Sequence, residues 1–529
     1  MNEAAVIRRE SWLLGGIGLL LFMAGLWQQP FIGFESRFAV FAQEMLRHGP
    51  SWFPTTWGEP YPDYPVTGTL LIALGSLPFG AVTRFSAALP TALAAALNLV
   101  ILYRLLAPHA KEWAWLALCL QVMTVTFLAE ARSISLDQMV ATLTLLAFYL
   151  AYSADRTGQA PRWLPLVLIL GFCVRGPLGI VIPASAVISY YALSSQWRAL
   201  LRFAIQAALL LALLWLALLA LAWWQYGADF MKDVVRMQVA GRLEAQGRSE
   251  PFYYFTRSFG NYALSYPLAV LTLALLAPTL LRQPQTPARQ LVLALAGAAL
   301  LILAGLSMPE TKKARYILAA TPALSALAAY SWVAAGSRAL RWLRAALASL
   351  FAALPLLLIA ALVIIHRRSE YQDLSLILPC TVLAALQIAL LIVRRKVEAP
   401  RRGAIYAGIA ALAVWSAMVL VVEPVLLRKQ DSSHFVAAVE AQRRAQPGTL
   451  ALFGMTRDGA AIKYLVNADA DLAPQFPRDA AALTALPRPA YVVINADAAK
   501  ALPASALSTA TRVASGQFNG EPFLAFHLP

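Results

Sequence analysis

The sequence has few charged residues and few cysteines. Lys, Arg, Asp and Glu make up only 13% of its 529 residues, whereas hydrophobic residues make up 60%. So small a charged fraction excludes an ordinary soluble globular protein. The three cysteines, Cys119, Cys173 and Cys380, all fall within apolar runs and lack metal-type spacing. We interpret them as small buried hydrophobic residues.

The chain also lacks the short motifs of nucleotide-dependent proteins. It has no Gly-rich phosphate loop, dinucleotide fingerprint or Walker motif, which argues against an ATP-driven transporter. The net charge of +16 comes without a polybasic arm or a nucleic-acid-binding motif, so no nucleic-acid partner is expected. The five histidines show no metal-ligand spacing; they are His48, His109, His366, His434 and His527.

Long apolar runs dominate the first four-fifths of the chain. They recur from Trp12 to Val422, and each is near the roughly 20 residues that a membrane-spanning helix needs. Only helices and closed barrels satisfy the backbone in lipid, and no run alternates as a barrel strand does. The fold class is therefore a polytopic α-helical membrane protein, with about 13 transmembrane helices.

The basic residues orient these helices. Arg8 and Arg9 precede the first apolar helix, which lacks an Ala-x-Ala cleavage site and is interpreted as a retained signal anchor with a cytoplasmic N-terminus. The cluster at 394–402, between the last two helices, gives the strongest positive-inside signal. The apolar stretch 66–79 is short and broken by glycine and proline. We predict that it is interfacial, because counting it as a span would invert every later loop.

Two regions are predicted. Residues 1–424 form the transmembrane region, with outer loops at 29–84 and 226–258, and residues 425–529 form a soluble α/β domain on the outer side. In this tail the pattern predicts buried strands at 450–455 and 491–495, helices at 458–466 and 479–486, and a terminal hairpin within 518–528 around Asn519-Gly520.

Polar residues collect on the predicted outer face. Ionised groups beside a bilayer are costly and usually functional. Several cations with a few carboxylates suit a lipid-linked phosphate ester, because cations neutralise phosphate charge and a carboxylate can deprotonate an acceptor hydroxyl. The residues are Glu35, Arg37, Asp63, Arg132, Asp137, Arg175, Lys232, Arg236, Arg242, Arg248, Arg257, Lys312, Lys313 and Arg315.

Most of these residues also have a structural explanation. A purely structural explanation fits least well for the three cations Lys312, Lys313 and Arg315. Cations on the outer face run against the positive-inside rule. The basic segment 232–257 could be a solvated face or could contact lipid headgroups. Simple structural roles also fit the rest: an interfacial ion pair for Glu35 with Arg37, a turn at Asp63, a helix N-terminal residue at Asp137, and a helix break at Arg175-Gly176-Pro177.

Several motifs resemble one family in the same order. Glu35-Ser36-Arg37-Phe38-Ala39, Glu44-Met45-Leu46 and Tyr61-Pro62-Asp63-Tyr64-Pro65 resemble the first periplasmic loop of the bacterial aminoarabinose lipid A transferases. With the protein O-mannosyltransferases, these belong to the GT-C membrane glycosyltransferases. The later matches are Ala131-Arg132, Leu136-Asp137, Arg175-Gly176-Pro177, Pro251-Phe252-Tyr253-Tyr254 and Lys312-Lys313-Ala314-Arg315-Tyr316-Ile317-Leu318. The resemblance covers about 1–335 well and the rest by architecture.

The resemblance implies 13 spans in the bacterial inner membrane, a polyprenyl-phosphate sugar donor, a periplasmic active site and a soluble C-terminal domain. The chain departs from the family at three places. Phe34 stands where the first member of an Asp-Glu pair is expected, and Asp63-Tyr64 replaces a Glu-Lys pair, so a phosphate-binding lysine is missing. Arg236-Met237 stands where a histidine is expected. No metal ligands are therefore assigned, and dependence on a divalent metal stays open.

The leading hypothesis is a glycosyltransferase that moves a sugar from undecaprenyl phosphate to a periplasmic acceptor such as lipid A, another glycan or a protein, by direct displacement with inversion. Glu35 and Asp63 are the expected catalytic carboxylates, which position or deprotonate the acceptor hydroxyl. Lys312, Lys313, Arg315 and Arg242 are expected to bind the donor phosphate, with support from Arg37, Asp137, Arg175 and Tyr316.

Two further functions stay open. A flippase for lipid-linked sugars would carry charged residues deep within its helices along a path, and the helices here are nearly charge-free. A polymerase or ligase acting on longer lipid-linked glycans would use a large outer loop but would not need the pattern of the first loop.

Overall fold

The computed structural model describes residues 3–27, 29–240, 250, 252–282, 286–334, 337–368 and 374–529. The chain divides into two compact units. The helical unit comprises Met1–Ala24, Pro62–Thr67 and Ala88–Val421. The α/β unit comprises Gly25–Tyr61, Gly68–Ala87 and Val422–Pro529. It thus contains most of the predicted first outer loop together with the C-terminal tail.

Helices make up most of the described chain, as the apolar runs predict. Before the tail, the helical segments are Glu3–Met23, Gly33–Glu35, Ser36–His48, Thr67–Ser76, Leu77–Phe79, Arg84–Leu106, Lys111–Met123, Val125–Ala131, Leu136–Thr157, Leu164–Arg175, Leu178–Leu193, Trp197–Val235, Arg236–Ala240, Tyr253–Thr256, Ser258–Asn261, Tyr266–Arg282, Pro287–Ser307, Ala314–Ala320, Thr321–Tyr330, Arg338–Arg368, Ile377–Lys396, Ala399–Ala417 and Met418–Val422.

Six described helices are long and apolar enough to cross a membrane by length and composition. A seventh span results if Lys111–Met123 and Val125–Ala131, which meet at a bend of 77°, count as one. The prediction of 13 spans therefore stays a prediction. The short apolar helices Leu164–Arg175 and Leu178–Leu193 lie on either side of the helix break expected at Arg175-Gly176-Pro177. The six are Arg84–Leu106, Trp197–Val239, Pro287–Ser307, Arg338–Arg367, Ile377–Lys396 and Arg401–Ala445.

The predicted interfacial segment forms a helix that is too short to span. Thr67–Ser76 has 10 residues, so it is about 15 Å long, half the thickness of a hydrocarbon core. This length agrees with the interfacial interpretation.

The second outer loop begins later than predicted. Instead of ending near 225, the helix continues to Val235 and then to Ala240, with one break at Gly227, where φ is 84°. A glycine accepts that angle, and the segment after it has no further glycine or proline. Ion pairs one turn apart, Asp229 with Lys232 at 2.9 Å and Asp233 with Arg236 at 2.8 Å, support the continued helix.

The tail folds into a four-stranded mixed sheet. Its strands are β3 (Thr449–Leu452), β4 (Ala490–Asn495), β5 (Thr511–Phe518) and β6 (Glu521–Leu528), after a small hairpin of β1 (Thr55–Thr56) and β2 (Glu59–Pro60) earlier in the chain. The order in the sheet is β3-β4-β6-β5, with β3 parallel to β4. The helices beside it are Glu423–Gln430, Ser433–Ala445, Ala461–Ala468, Ala480–Thr484, Ala496–Ala501 and the short turn Ala504–Leu507.

The predicted terminal hairpin is confirmed. β5 and β6 pair antiparallel around Asn519 and Gly520, whose φ angles are 56° and 83°. Two positive φ values suit the primed turns that match strand twist, and Asn-Gly is the dipeptide that adopts them most readily. The core beneath the sheet is apolar and includes the fully buried Ala451, Val492, Ile494 and Leu528.

The Gly25–Tyr61 segment packs against the tail within the α/β unit. The buried Gln43 donates to the carbonyl of Val466 at 3.0 Å, near the end of the Ala461–Ala468 helix, where carbonyls lack helical partners. The Trp57 indole donates to the carbonyl of Arg457 at 3.2 Å. Arg47 forms ion pairs with Asp469 and Asp471 at 3.0 and 2.8 Å.

We predict that Gln43→Leu loosens this contact. The substitution keeps a side chain of similar size but leaves the Val466 carbonyl unpaired, which costs about 1–3 kcal/mol. The midpoint of thermal unfolding, followed by a probe in the tail, should fall. Gln442→Ala, at an exposed side chain of the Ser433–Ala445 helix, is the control and should leave it unchanged. An unchanged midpoint for Gln43→Leu would show that the bond does not hold the segment.

Candidate functional site

A buried carboxylate lies between two guanidinium groups in the helical unit. Asp137 Oδ1 is 3.3 Å from Arg175 Nε, and Asp137 Oδ2 is 3.2 Å from Arg315 Nε. The exposed fractions of the three side chains are 15%, 6% and 20%. Arg175 also lies over the ring of Tyr64, 5.3 Å from its centroid, and Arg315 lies 6.0 Å from that of Tyr316. We call these five residues the Asp137 cluster.

Helix ends place the first two members. Asp137 is the second residue of Leu136–Thr157, where a negative charge is favoured by the helix dipole, and Ser135 caps that helix by accepting from the Gln138 amide at 3.3 Å. Arg175 is the last residue of Leu164–Arg175. Asp137 and Arg175 therefore do lie at a helix start and a helix end, as their structural explanations expect. Both residues also belong to the Asp137 cluster.

Gly176 lets the chain turn directly after Arg175. Its φ of 61° and ψ of −143° are angles that glycine adopts far more readily than other residues. A Cβ at this position would lie 2.4 Å from Oε1 of Gln238, whose amide donates to the Pro62 carbonyl at 3.4 Å. The Arg-Gly-Pro motif thus fixes the position of Arg175 beside the segment that carries Asp63.

Asp63 lies near the cluster, in the Pro62–Thr67 segment of the helical unit. Its carboxylate is close enough to interact electrostatically with the Arg175 guanidinium. The structure thereby brings five predicted site residues near one another: Asp63, Asp137, Arg175, Arg315 and Tyr316. Val140, Leu178 and Leu306 add apolar walls to a narrow cavity lined by Asp137, Arg175 and Tyr316.

Two buried tyrosines hold the backbone of the Lys312–Arg315 motif. The Tyr254 hydroxyl donates to the Lys313 carbonyl at 3.3 Å, and the Tyr262 hydroxyl donates to the Ala314 carbonyl at 2.9 Å. Burial raises the pKa of Tyr254 above its usual value, so the hydroxyl keeps its proton. In the sequence, Tyr254 stands out only as part of a motif, and Tyr262 does not stand out at all. The local sequence pattern does not indicate either contact.

Glu35 lies in the α/β unit and pairs with Arg84. Its Oε1 is 3.1 Å from Arg84 Nε and accepts from the Ile32 amide at 3.2 Å, and the side chain is almost fully buried. Arg84 also donates to Gln29 at 2.7 Å. Arg84 was not a predicted site residue, because in the sequence it is one of several cations in the predicted loop 29–84.

Arg37 is held by aromatic rings in the same unit. Its guanidinium carbon lies 5.3 Å from the ring centroid of Phe34 and 5.2 Å from that of Tyr61, and Nη2 donates to the Asp458 carbonyl at 2.7 Å. Phe34, which stands where the family has a carboxylate, thus contacts the supporting arginine. Glu44 has a structural role, since it accepts from the amide of Trp57 at 2.6 Å.

The remaining predicted residues are placed elsewhere. Arg242 and Arg248 lie outside the described residues. Arg132 is buried and donates to the carbonyls of Leu21, Phe22 and Ala24, at the C-terminal end of the first helix. Lys232, Arg236 and Arg257 form local, well-exposed ion pairs, as a solvated face would. Among the described residues, no three His, Cys, Asp or Glu side chains come together as metal ligands.

We predict that Tyr262→Phe lowers the thermal stability of the full chain. It leaves the buried Ala314 carbonyl without its donor, at a cost of about 1–3 kcal/mol. The control is Tyr253→Phe, at a partly exposed ring in the same segment. Scanning calorimetry or a thiol-reactive unfolding dye would measure both. Equal midpoints for the two variants would contradict the anchoring role of Tyr262.

Comparison with known proteins supports the resemblance that the motifs indicate. The chain is 30% identical over 332 residues to the undecaprenyl phosphate-alpha-4-amino-4-deoxy-L-arabinose arabinosyl transferase of Pseudomonas aeruginosa (strain UCBPP-PA14). The match covers 59% of this chain and 57% of that protein, so the chain spans little more than half the length of this relative. No family model matches the chain.

Solved structures share the fold over nearly the whole chain. ArnT from Cupriavidus metallidurans, in a crystal structure bound to undecaprenyl phosphate, aligns with a TM-score of 0.71 at 16% identity, covering 98% of this chain and 97% of that chain. The archaeal oligosaccharyltransferase AglB from Archaeoglobus fulgidus aligns with a TM-score of 0.50 at 14% identity, over 93% of this chain and 69% of that chain. The predicted resemblance to GT-C membrane glycosyltransferases is confirmed, and the chain has a helical membrane-protein fold of this type.

Proposed function

We propose that this chain is a GT-C glycosyltransferase that transfers a sugar from an undecaprenyl-phosphate carrier to a periplasmic acceptor such as lipid A, another glycan or a protein. The observation that carries the proposal is the Asp137 cluster, in which two largely buried arginines share one carboxylate beside the Lys312-Lys313 pair. The fold shared with ArnT and the 30% identity to an arabinosyl transferase support it.

The cluster has the charge that a departing phosphate requires. The two guanidinium groups face the carboxylates of Asp137 and Asp63, and Lys312 and Lys313, which precede Arg315 in the chain, add two further positive charges. Cations fixed in a partly buried site stabilise negative charge as it develops, because the site does not have to reorganise when the bond breaks. Asp137 acts here as a positioning residue that holds both arginines in place.

Asp63 is the proposed base. In a direct displacement it takes the proton of the acceptor hydroxyl, the freed oxygen attacks the anomeric carbon, and the bond from that carbon to the carrier phosphate breaks with inversion. Its place near Arg175 supports this role, because the base and the phosphate-binding cations then belong to one group of residues. Glu35, ion-paired with Arg84, is proposed to position the acceptor.

The tail of the α/β unit is proposed to hold the first loop. Glu35 and Arg37 precede Gln43 in a segment that the tail contacts through the carbonyls of Asp458, Arg457 and Val466. Such contacts would fix the loop side chains before substrate arrives. Gln43→Leu should therefore lower kcat while the affinity for the donor stays unchanged; a variant with normal kcat would contradict the role.

The proposed setting is the bacterial inner membrane, with the N-terminus in the cytoplasm, 13 spans and residues 425–529 in the periplasm as a soluble domain. The basic cluster at 394–402 supports this orientation, because the positive-inside rule places such a cluster on the cytoplasmic side. No resident metal is proposed, since the described residues offer no set of metal ligands.

We predict that Asp63→Asn lowers turnover at least 100-fold, as expected when a general base is lost. Purified protein is incubated with undecaprenyl-phosphate sugars and an acceptor, and release of the carrier is followed. Asp458→Asn is the matched control, because Arg37 uses the backbone carbonyl of that residue and not its carboxylate. Full turnover by Asp63→Asn would refute the base. No turnover with any donor, while lipid moves across vesicles, would favour a flippase.

We also predict that Arg315→Gln weakens the donor phosphate site. One charge-assisted hydrogen bond is worth about 1.5–3 kcal/mol, so kcat/KM for the donor should fall about 10- to 100-fold. Arg257→Gln, at an exposed ion pair with Glu250, is the control and should stay near wild type. If both variants lose activity equally, net charge and not the Asp137 cluster governs donor binding.

A further inference from the structure

Two cavities of the helical unit share the helices Glu3–Met23 and Arg84–Leu106. The first, of about 500 Å³, is polar and is lined by Glu3, Ala4, Ile7, Arg8, Arg104, Pro108 and Tyr149. The second, of about 390 Å³, is an apolar groove between the helices Glu3–Met23, Arg84–Leu106, Lys111–Met123 and Ala399–Ala417. Neither contains a residue that the proposed sugar transfer uses.

The groove offers almost no polar group. Aliphatic side chains such as Leu14, Ile17 and Leu21 line it, and the indole nitrogen of Trp115 already donates to the Ala404 carbonyl at 2.7 Å. Glycines at positions 18 and 408 keep it open, because a Cβ at Gly408 would lie 2.9 Å from the Trp115 ring. Such a surface suits a hydrocarbon chain and not a sugar or a phosphate.

The cavities follow one another along a single helix face. On Glu3–Met23, Ile7 lines the polar cavity, and Leu14, Gly18 and Leu21 line the groove, at spacings of three, four or seven residues that share a face. Arg8 and Leu14 differ by about 9 Å along the helix axis. Between them, Ser11 accepts from Arg104 Nε at 2.8 Å, which joins this helix to the next at the boundary of the two cavities.

The polar cavity carries charges of both signs. Arg104 Nη2 is buried and has no hydrogen-bond partner among the described residues, although its Nε bonds to Ser11. Arg8 is exposed and supplies a second cation, whereas Glu3 supplies a carboxylate. The nearby Glu10 is already neutralised by Lys111 at 2.7 Å. Two cations and one carboxylate match a headgroup that carries both a phosphate and an ammonium group.

We propose that the two cavities together bind one aminophospholipid, of the phosphatidylethanolamine class. Its phosphate lies between Arg8 and Arg104, its ammonium group lies at Glu3, and one acyl chain fills the groove. The guanidinium groups of Arg8 and Arg104, which line the cavity, can form charge-assisted bonds to the phosphate. The acyl chain moves from the surrounding lipid into an apolar surface.

This site is separate from the Asp137 cluster. Tyr149 of the polar cavity and Asp137 belong to the same helix, Leu136–Thr157. They are twelve residues apart, which corresponds to about 18 Å of helix. The headgroup cavity therefore lies well away from the proposed sugar-transfer site, and the proposal holds whether or not the chain transfers sugars.

The first test measures headgroup recognition. Full-length protein in detergent is titrated with dioleoyl phosphatidylethanolamine, phosphatidylglycerol or phosphatidylcholine, and bound lipid is counted by native mass spectrometry. Phosphatidylethanolamine should be retained best. Arg8→Gln and Arg104→Gln should each weaken its binding about tenfold, Glu3→Gln should abolish the preference over phosphatidylglycerol, and Arg9→Gln, an exposed neighbour outside the cavity, should change nothing.

Several results would overturn the proposal. Equal retention of the three lipids would show a headgroup-blind surface, preference for phosphatidylglycerol would show a simple anionic-lipid site, and an equal loss in Arg8→Gln and Arg9→Gln would show only general charge attraction. Arg8 is exposed, so its variant should fold even if Arg104→Gln does not.

The second test concerns the groove. Phosphatidylethanolamine with brominated acyl chains should quench the fluorescence of Trp115. The total quenching of tryptophan fluorescence should therefore be smaller in Trp115→Phe, by the contribution of that one indole. Identical quenching of both proteins would show that no acyl chain enters the groove.

Discussion

The sharing of Asp137 between Arg175 and Arg315 is the interaction on which the site in the helical unit depends. Removing three charged groups from water is costly, and one carboxylate compensates two guanidinium groups only in part. The surroundings therefore have to fix each partner. A capped helix start holds the carboxylate, a glycine that alone fits its turn holds Arg175, and two buried tyrosines hold the backbone beside Arg315.

In the α/β unit, buried charged side chains are likewise held by specific partners. Glu35 is nearly buried and paired with Arg84, and Arg37 is held between two aromatic rings and a backbone carbonyl. In both units, a predicted site residue is oriented by a partner that is distant in the sequence. A constellation of this kind is fixed before substrate binds, which is what electrostatic stabilisation of a leaving group requires.

Local patterns predicted the features that depend on neighbouring residues. Apolar runs predicted the helices, and Asn519-Gly520 predicted the hairpin because its turn needs two positive φ angles. The ion pairs were not predictable, since nothing near Glu35 marks Arg84 as its partner. The sequence also could not show that the helix resumes after Gly227. The polar residues in that segment are typical of a loop, but in the structure they form ion pairs one helical turn apart.

The position of β6 has a consequence for biosynthesis. This strand pairs with β4 on one side and β5 on the other, yet it is the last strand to be made. The sheet of the α/β unit therefore cannot close until translation has passed Leu528. The Gly25–Tyr61 segment meets its tail partners earlier than that, because the carbonyls of Asp458 and Val466 belong to residues made before β6. Arg37 and Gln43 nevertheless lack these partners throughout the synthesis of the intervening helices, so the segment can be fixed against the tail only after the whole helical unit has been made.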